Sequence, residues 1–484
     1  MAEPTRPVLR DLDPERSHPP RYFPTSWEAL TLLHVGVLVV GVSWWFGGQS
    51  PGARQALLAW GSLGIILFFT AWGRLREAGG DPWQPLRHLW PLVVFDLLVG
   101  IGCLNPSTAT SLHQGEEMLA YITPRWPWLP SSALPALSFR ELWQFNGIVL
   151  SCYNVLLVLQ RRRTLRRLLA LMALNALALA VFGTFQKLTR ADGLFFGLVD
   201  SPQSYFFSSF VYHNHWGAFT LLNLAVCLGL LFHQLRRSGH RDFWHSPAFM
   251  GGVAVVFLAA TAPLSGSRSS TLLCALFILG ATGHYLATVV RHRRERHESS
   301  TALIVVVVAT LALAAAAIAF LSRETMGRRI QDTIGQFGQL QAEDSTNSRL
   351  RLYRDTWAMA QARPLFGWGL ETYGHVFMIY NSAPDPGVGS WKPYYEEAHN
   401  DWLQALAEVG FAGTALLLAL GLAPWRGVRR AHLASSIPRY LAIGCALVLL
   451  YAWVEFPFAN PAVMVAFWIS LYTAARYAAL GEHE

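Results

Sequence analysis

Charged residues are scarce in this chain. They make up 14% of its 484 residues, and only two of them, Lys187 and Lys392, are lysines. Ordinary soluble domains carry about 25% charged residues, so this composition excludes a typical soluble multidomain enzyme. A hydrophobic fraction of 53% and a mean hydropathy of +0.30 indicate a protein that crosses a membrane several times. Disordered, collagenous, coiled-coil and disulfide-scaffold proteins are excluded by the same composition.

Cysteine is also rare, and each of the five cysteines falls inside an apolar stretch: Cys103, Cys152, Cys227, Cys274 and Cys445. Their spacing matches no metal-binding motif and none lies in a polar loop, so we predict no disulfide and no metal site. The N-terminal segment is polar and proline-rich and lacks the pattern of a secretory signal peptide. We therefore expect no cleaved signal peptide.

Long apolar spans make up much of the sequence. Each is long enough for a membrane helix, and no alternating strand pattern of the outer-membrane type occurs. We therefore predict an all-α polytopic membrane protein with about 12 transmembrane helices. The predicted spans are 27–46, 54–72, 89–104, 143–160, 165–185, 215–235, 247–265, 269–290, 301–321, 402–424, 438–456 and 461–479.

Arginine clusters indicate the orientation of these spans. They follow spans 2, 4, 6, 8 and 10, whereas the short loops after spans 1, 7 and 11 carry at most one positive residue each. Because positive loops stay in the cytoplasm, we expect both termini to be cytoplasmic. The net charge of +8 then reflects orientation and not nucleic-acid binding.

Two predicted exterior loops are long. The loop 105–142 is rich in proline and tryptophan and suits an interfacial cap. The loop 322–401, between helices 9 and 10, contains a predicted helix from Ser348 to Ala362 and then a Pro-Leu-Phe-Gly-Trp-Gly segment. Loops longer than about 15 residues are usually functional or disordered, and the aromatic residues here favour order. The predicted divisions are a cytoplasmic tail 1–26, helices 1–9 in 27–321, the large periplasmic loop 322–401, helices 10–12 in 402–479 and a cytoplasmic tail 480–484.

Three predicted exterior helix starts carry polar residues that a simple membrane anchor does not need. They are Tyr212-His213-Asn214-His215-Trp216-Gly217, Ser265-Gly266-Ser267-Arg268-Ser269-Ser270 and Glu396-Glu397-Ala398-His399-Asn400-Asp401. A helix N-terminus offers unpaired N–H groups and a positive dipole end, which favour anions. The Arg268 guanidinium can bind phosphate oxygens through two hydrogen bonds. Convergence of these ends predicts a diphosphate site without a metal.

Simpler interpretations stay open for the same residues. An arginine beside a membrane helix is commonly an interfacial anchor, although Arg268 lies on the face where short loops otherwise lack arginine. A histidine near a membrane surface is more often structural than catalytic. The spacing of His213 and His215 resembles that of a metal-binding pair. However, residues two positions apart point to different sides of a helix, which argues against a metal.

Two spaced motifs lie on the predicted exterior face. Residues 268–272 fit R-x3-L, and His399-Asn400 is followed after nine residues by Gly410-Phe411-Ala412-Gly413, which fits H-N-x9-G-x-x-G. Together they resemble the O-antigen ligase family, whose superfamily includes O-antigen-type polymerases and bacterial protein O-oligosaccharyltransferases. Residues 212–218 and 349–373 extend the likeness, the latter through an arginine-containing helix and a Pro-Leu-x-Gly-x-Gly turn. The likeness covers roughly residues 160–480.

The resemblance implies a GT-C-like membrane glycosyltransferase. Such enzymes move a glycan from an undecaprenyl-diphosphate donor to a hydroxyl of lipid A-core or another glycan, at the periplasmic face of the inner membrane. They are inverting, need no metal or other cofactor and bind no nucleic acid; their partners are these substrates and membrane lipids. By this resemblance Arg268 would hold the diphosphate and stabilise the leaving group, and His399 would act as general base on the acceptor hydroxyl or orient it.

Further polar residues become candidates for substrate binding: Asn400, Arg349, Arg351, Arg354, His213, Asn214, His215 and Tyr212. For Arg351, pairing with Asp355 at i,i+4 on a helix is the alternative. Glu408 and Asp96 are intramembrane acids, which are costly unless partnered. We interpret both as structural members of hydrogen bonds or ion pairs first, and as proton carriers second.

Other functions remain open at the level of sequence. A polymerase of the same superfamily would join repeat units to the donor-linked chain, and a protein O-oligosaccharyltransferase would glycosylate proteins. A 12-helix secondary transporter is the alternative from another class. A transporter places polar residues and broken helices near the membrane midplane. Here they cluster at exterior helix ends, which favours chemistry at the surface.

Overall fold

The computed structural model describes residues 22–113, 116–203, 205–237, 246–338, 346–383, 392–428 and 433–481. Most of the predicted tail 1–26, the last three residues, Arg241, Arg429 and Arg430 lie outside the described residues. So do parts of the predicted loop 322–401. The statements below concern the described part of the chain.

The described residues form fifteen α-helices, three short 3-10 helices and one hairpin. The helices are α1 (Thr25–Trp44), α2 (Pro51–Glu77), α3 (Gln84–Leu104), α4 (Pro135–Val158), α5 (Arg162–Leu188), the single turn α6 (Leu194–Gly197), α7 (His213–Arg237), α8 (Pro247–Ser265), α9 (Arg268–Glu295), α10 (Thr301–Gly338), α11 (Thr346–Ala362), α12 (Tyr373–Tyr380), α13 (Asp401–Leu422), α14 (Ser436–Tyr451) and α15 (Pro461–Ala479). The strands are β1 (Thr108–His113) and β2 (Glu116–Tyr121).

The predicted all-α polytopic membrane class is confirmed. Every one of the twelve predicted spans is a helix, and ten helices among the described residues are long and apolar enough to cross a membrane. The other two are α4 and α14. The 16 residues of α14 extend about 24 Å, less than the ~30 Å hydrocarbon core. The number twelve therefore stays a prediction.

Burial divides the helices into central and peripheral ones. In the spanning window of α15, 83% of the residues are buried inside the protein, and in that of α7 the share is 72%. No residue of Thr301–Phe320 in α10 is buried, although this stretch has the highest hydropathy of the ten. A segment that is apolar on all sides and uncovered by protein is solvated by lipid. The bundle is thus built around α7 and α15, with α10 at its edge.

The two long loops pack against each other outside the bundle. In the first, β1 and β2 pair antiparallel with Thr108 opposite Tyr121, a hairpin that the sequence did not predict. Arg363 joins this loop to the second one, because its guanidinium donates hydrogen bonds to Ser107 Oγ (3.0 Å), Ser131 Oγ (2.7 Å) and Tyr121 Oη (3.2 Å). The loops therefore form one layer over one end of the bundle.

Helical structure extends further into the second loop than the span boundaries predict. α10 continues past residue 321 to Gly338. The predicted helix from Ser348 to Ala362 is present as α11, and α12 follows the Pro-Leu-x-Gly-x-Gly turn. α11 and α12 pack over the start of α13 and so hold polar side chains above three helix ends.

Candidate functional site

The three polar helix starts meet around the last turn of α14. The Tyr451 hydroxyl donates a hydrogen bond to the carbonyl of Asn214 in α7 (3.3 Å) and lies 3.3 Å from Ser267 Oγ, which precedes α9. The backbone N–H of Asp401, the first residue of α13, donates to the Ala452 carbonyl (3.0 Å). The end of α14 therefore brings together segments that are far apart in sequence.

Glu455 lies at the centre of this arrangement, just beyond α14. Its carboxylate, with a side chain only 5% exposed, lies 3.4 Å from Arg349 Nη2 and 3.8 Å from His399 Nδ1. It also accepts a hydrogen bond from the Tyr212 hydroxyl (3.3 Å). A buried carboxylate is costly unless it is paired and hydrogen-bonded. We call these four residues, Glu455, Arg349, His399 and Tyr212, the His399 cluster.

His399 is held by its backbone as well as its ring. Its φ of +52° is uncommon for a residue with a side chain, and such conformations concentrate at functional sites. The Tyr353 hydroxyl donates to its carbonyl (2.9 Å), and the Phe456 ring contacts the imidazole edge to face at 4.6 Å. With Nδ1 turned towards Glu455, Nε2 is the nitrogen available to a substrate.

The segment His213-Asn214-His215 surrounds the Tyr212 side chain. Asn214 Nδ2 donates to the Tyr212 hydroxyl (2.8 Å), and the rings of His213 and His215 lie 4.8 Å and 5.1 Å from the Tyr212 ring. Burial and the charge of Glu455 raise the pKa of Tyr212, so the hydroxyl keeps its proton. Within the described ranges, no group of three or more histidine, cysteine, aspartate or glutamate side chains is placed to hold a metal ion.

Arg268 begins α9 beside the start of α7. Its side chain is exposed, and Ser267 before it is buried. A side chain at Gly217 in α7 would place its Cβ 2.4 Å from Ser270 Oγ, so glycine permits this close approach of the two helices. The first turn of α9 thus lies against α7, with its arginine at the surface.

The remaining candidates are placed differently. Asn400 Oδ1 accepts a hydrogen bond from the Leu403 N–H (3.1 Å) and caps α13. On α11, Arg349 reaches Glu455, whereas Arg354 donates to Ser382 Oγ (3.1 Å) and Arg351 is half-buried. Residues two and five positions apart point to different sides of a helix, so α11 directs only part of its arginine set to the His399 cluster.

The Pro-Leu-x-Gly-x-Gly turn is joined to a break in α13. At Gly410 the backbone has φ +66° and ψ −173°, a region open essentially to glycine. The peptide groups freed by this break bond to the turn. The hydrogen bonds are Trp368 N–H to Ala407 O (3.0 Å), Gly369 N–H to Glu408 O (2.8 Å), Phe411 N–H to Pro364 O (2.8 Å) and Ala412 N–H to Leu365 O (3.0 Å).

Two glycines permit this junction. A Cβ on Gly367 would lie 2.3 Å from the Glu408 carbonyl carbon, and one on Gly410 would lie 2.4 Å from the Leu365 carbonyl carbon. The Pro-Leu-x-Gly-x-Gly turn and the glycine end of the H-N-x9-G-x-x-G motif are therefore one structural element, in which the turn and α13 share backbone hydrogen bonds.

The intramembrane acids have hydrogen-bond partners. Glu408 accepts from the N–H groups of Glu371 (2.9 Å) and Tyr373 (3.1 Å), and Asp96 accepts from Asn146 Nδ2 (2.9 Å). These contacts support the structural interpretation of both acids. Glu408 anchors the start of α12 and thereby reinforces the junction at Gly410.

A cavity of about 570 Å³ lies between α3, α4, α13, α14 and α15. Most of its wall is apolar, including Leu417, Leu449 and Phe467. Its polar part contains five acids: Glu141, Glu371, Glu397, Asp401 and Glu408. Asp401 is hydrogen-bonded to the backbone that follows Glu455, through the Phe458 N–H (3.0 Å). The cavity is therefore next to the His399 cluster and has the character of a lipid-binding volume.

Glu455 is not among the intramembrane acids that the sequence analysis identifies. It lies at the end of the predicted span 438–456, two residues before Pro457, and the short predicted exterior loop that follows contains no charged residue. The cost of an unpartnered acid in a membrane segment, applied to Glu408 and Asp96, applies equally here. That rule would have pointed to a cationic or imidazole partner from another helix start.

Residues 253–418 match the family model described as O-antigen ligase. The matched segment runs from α8 into α13 and includes Arg268, Arg349, His399 and Gly410, and it confirms the family resemblance over about a third of the chain. It indicates a membrane glycosyltransferase of the ligase or polymerase type. No curated protein matches the chain.

Proposed function

We propose that this chain, with its O-antigen ligase segment at residues 253–418, transfers a glycan from an undecaprenyl-diphosphate donor to a hydroxyl of lipid A-core. The observation that carries the proposal is the His399 cluster at the meeting point of three helix starts. A buried carboxylate behind an imidazole, with a guanidinium and a protonated phenol beside it, is an arrangement for acid–base chemistry. The reaction class comes from the family match.

The proposed reaction is an inverting displacement. His399 Nε2 accepts the proton of the acceptor hydroxyl while that oxygen attacks the anomeric carbon of the donor sugar. The bond between this carbon and the diphosphate oxygen breaks, and undecaprenyl diphosphate leaves with the electron pair. Glu455 stabilises the imidazolium that forms, as the carboxylate of a catalytic triad does. No metal is required in this scheme.

Arg268 is the proposed ligand of the diphosphate. It combines a guanidinium with the N-terminus of the 28-residue helix α9, and both attract phosphate oxygens. Its charge would stabilise the negative charge that develops on the leaving group. The apolar part of the cavity beside Asp401 offers volume for the lipid tail of the donor.

The first experiment replaces the two central residues. In membranes loaded with a lipid-linked glycan, His399→Ala and Arg268→Ala are each expected to lower transfer at least about 10²-fold at unchanged protein abundance. Matched controls are His375→Ala, an exposed histidine of α12, and Arg291→Ala at the other end of α9. Normal transfer by both central variants would falsify the site. Transfer is expected to persist in EDTA, and strict dependence on a divalent ion would contradict the scheme.

Deleting the gene and examining the surface glycans of the cell identifies the acceptor. Loss of long glycan from lipid A-core, with accumulated lipid-linked polymer, is the result expected of a ligase. Single repeat units still attached to the core would identify a polymerase instead. Deglycosylated proteins with unchanged lipid-linked surface glycans would identify a protein O-oligosaccharyltransferase.

We place the chain in the bacterial inner membrane with both termini cytoplasmic and the His399 cluster facing the periplasm. Gln361 in α11 and Ser299 after α9 are exposed at opposite ends of the bundle. In intact cells an impermeant thiol reagent should label Gln361→Cys and not Ser299→Cys. The reverse pattern would overturn this orientation.

A further inference from the structure

A second concave site lies at the opposite end of the bundle from the His399 cluster. A cavity of about 460 Å³ is lined by the far ends of α7 and α9 and the first turns of α14. The His399 cluster meets α7 and α9 at their first residues and α14 at its last ones. The two sites are therefore separated by the length of these helices.

Aromatic rings and leucine form the floor of this cavity. The Phe232 ring stacks on Tyr285 and contacts Tyr440, with both ring centroids 5.0 Å away. These three rings come from α7, α9 and α14, and Leu235 extends the apolar surface. Such a floor suits the first part of an acyl chain.

Arginines form the rim: Arg236 on α7 and Arg293 and Arg296 on or just after α9. Glu298 is the one acid among the lining residues, so the rim carries a net positive charge. Arg439 adds a further guanidinium next to the site, where its Nη1 lies 2.6 Å from Nε2 of the lining residue His284. The electrostatics therefore select an anion.

The rim arginines keep donors for a ligand. Arg236 Nη1 donates to the Ala434 carbonyl (3.1 Å), and Arg293 Nη1 donates to the Ser299 carbonyl (3.1 Å). A guanidinium has five N–H donors, and in the described part of the chain each of these bonds occupies one. These bonds to carbonyls orient the two side chains. Arg293 Nε also lies 3.9 Å from Glu298 Oε2, a pair that is open to solvent, so the rim arginines still outnumber the one acid of the lining.

We infer that this pocket binds the phosphate headgroup of an anionic phospholipid, with the start of an acyl chain on the Phe232–Tyr285–Tyr440 floor. Charge complementarity and depth favour this occupant over a soluble phosphate. The pocket lies where membrane helices end, so its floor is at the level of lipid tails and its rim is at the level of headgroups. Basic pockets between helices on the cytoplasmic side are recognised sites for anionic lipids, and that is the side this face has in the proposed topology.

The lipid-binding inference can be tested by comparing substitutions of arginines inside the pocket with substitutions of arginines outside it. The α9 residues that line the pocket share one face of the helix, where they recur at intervals of four. They are residues 284, 285, 288, 289, 292 and 293. Arg291 and Arg294 lie on the same helix outside that face. Arg236→Gln with Arg293→Gln therefore removes two rim charges, and Arg291→Gln with Arg294→Gln removes the same charge elsewhere.

The experiment measures phosphatidylglycerol retained by purified, detergent-washed protein by native mass spectrometry. Wild type and the Arg291/Arg294 control should retain it, and the Arg236/Arg293 variant should retain about tenfold less, equivalent to the loss of about 1.4 kcal/mol of binding free energy. Phosphatidylcholine should not be retained by any of the three proteins. Equal loss in the control would overturn the inference in favour of general surface charge.

A second arm separates a lipid from a soluble phosphate. Glycerol 1-phosphate at millimolar concentration should leave the bound phosphatidylglycerol in place, because it lacks the acyl chain that contacts the aromatic floor. Complete displacement by glycerol 1-phosphate would contradict the proposed occupant. This inference is independent of the proposed glycan transfer, because lipid retention is read without any donor or acceptor.

Discussion

The carboxylate of Glu455 lies 3.8 Å from Nδ1 of His399, although Glu455 follows α14 and His399 precedes α13. The same carboxylate contacts Arg349 and Tyr212, so it joins a membrane helix end, the α11 layer and the start of α7. The His399 imidazole therefore faces a buried carboxylate that another element supplies. We propose that Glu455 positions the proposed base.

Glu455→Gln is expected to lower the transfer rate roughly 10²-fold, the order of a general-base contribution. The amide keeps the shape of the side chain but cannot stabilise an imidazolium. The measurement is kcat and the donor KM in proteoliposomes. We expect the loss in kcat with KM nearly unchanged, partial rescue by Glu455→Asp, and wild-type behaviour for the exposed control Glu396→Gln. A change confined to KM would argue against the positioning role.

Gly410→Ala should destabilise the folded protein. The φ +66°, ψ −173° backbone costs a residue with a side chain about 1–3 kcal/mol, and the added Cβ would also overlap the Leu365 carbonyl. Gly280→Ala in α9 is the control, because a Cβ there meets no atom within 4 Å. Thermal unfolding in detergent should show a lower midpoint for Gly410→Ala only. Equal midpoints for the two variants would mean that the α13 junction is not a stabilising element.

Two substitutions of Asn400 distinguish its role as a helix cap from a role in substrate binding. As the cap of α13 it should tolerate Ser, whereas Ala should cost about 1 kcal/mol of the free energy of unfolding. Thermal midpoints of Asn400→Ser and Asn400→Ala measure this difference. If Asn400 also binds substrate through its amide, Asn400→Ser will lose transfer while keeping its midpoint. Equal destabilisation by both substitutions would contradict the capping role.

Glu371 makes stability depend on pH near neutrality. Burial and the neighbouring Glu141 raise the pKa of Glu371 to about 7, against an ordinary value of 4.5. The folded protein therefore holds this proton more tightly than the unfolded chain does. The stabilisation is fully present below about pH 4.5 and decreases as the pH rises to about 7.

Glu371→Gln is permanently neutral and should remove this contribution. The difference between the unfolding midpoints at pH 5 and pH 8 should therefore be smaller for Glu371→Gln than for wild type. Glu77→Gln, at an exposed acid in the last turn of α2, should keep the wild-type difference. An unchanged difference in Glu371→Gln would assign the pH dependence to other groups, such as Glu397, whose pKa burial also raises.

Much of the fold could be predicted because membrane helices are read from local composition. Apolar length and arginine clusters need no knowledge of partners, so all twelve predicted spans are helices in the structure. The β1–β2 hairpin could not be predicted in this way. Its strands are short, and its loop is held by Arg363 of a distant segment.

The candidate site was predictable only in part. His399 and Arg349 were found from spacing and resemblance, and the structure places them on one carboxylate. Glu455 was not found, because its position at a span end resembles an ordinary helix boundary until the partners are known. The resemblance makes Arg354 a candidate together with Arg349 on one arginine-containing helix, but the rotation of α11 turns Arg354 to Ser382.

The junction between residues 364–369 and 407–412 has a consequence for protein engineering. Because the turn completes the backbone hydrogen bonds of a broken membrane helix, neither segment can be exchanged alone between homologous proteins. A chimera that transplants the loop containing this turn must carry the matching half of α13 with it. The smallest part of this protein that can be exchanged therefore consists of two segments that are separate in the sequence. Its boundary crosses the membrane surface.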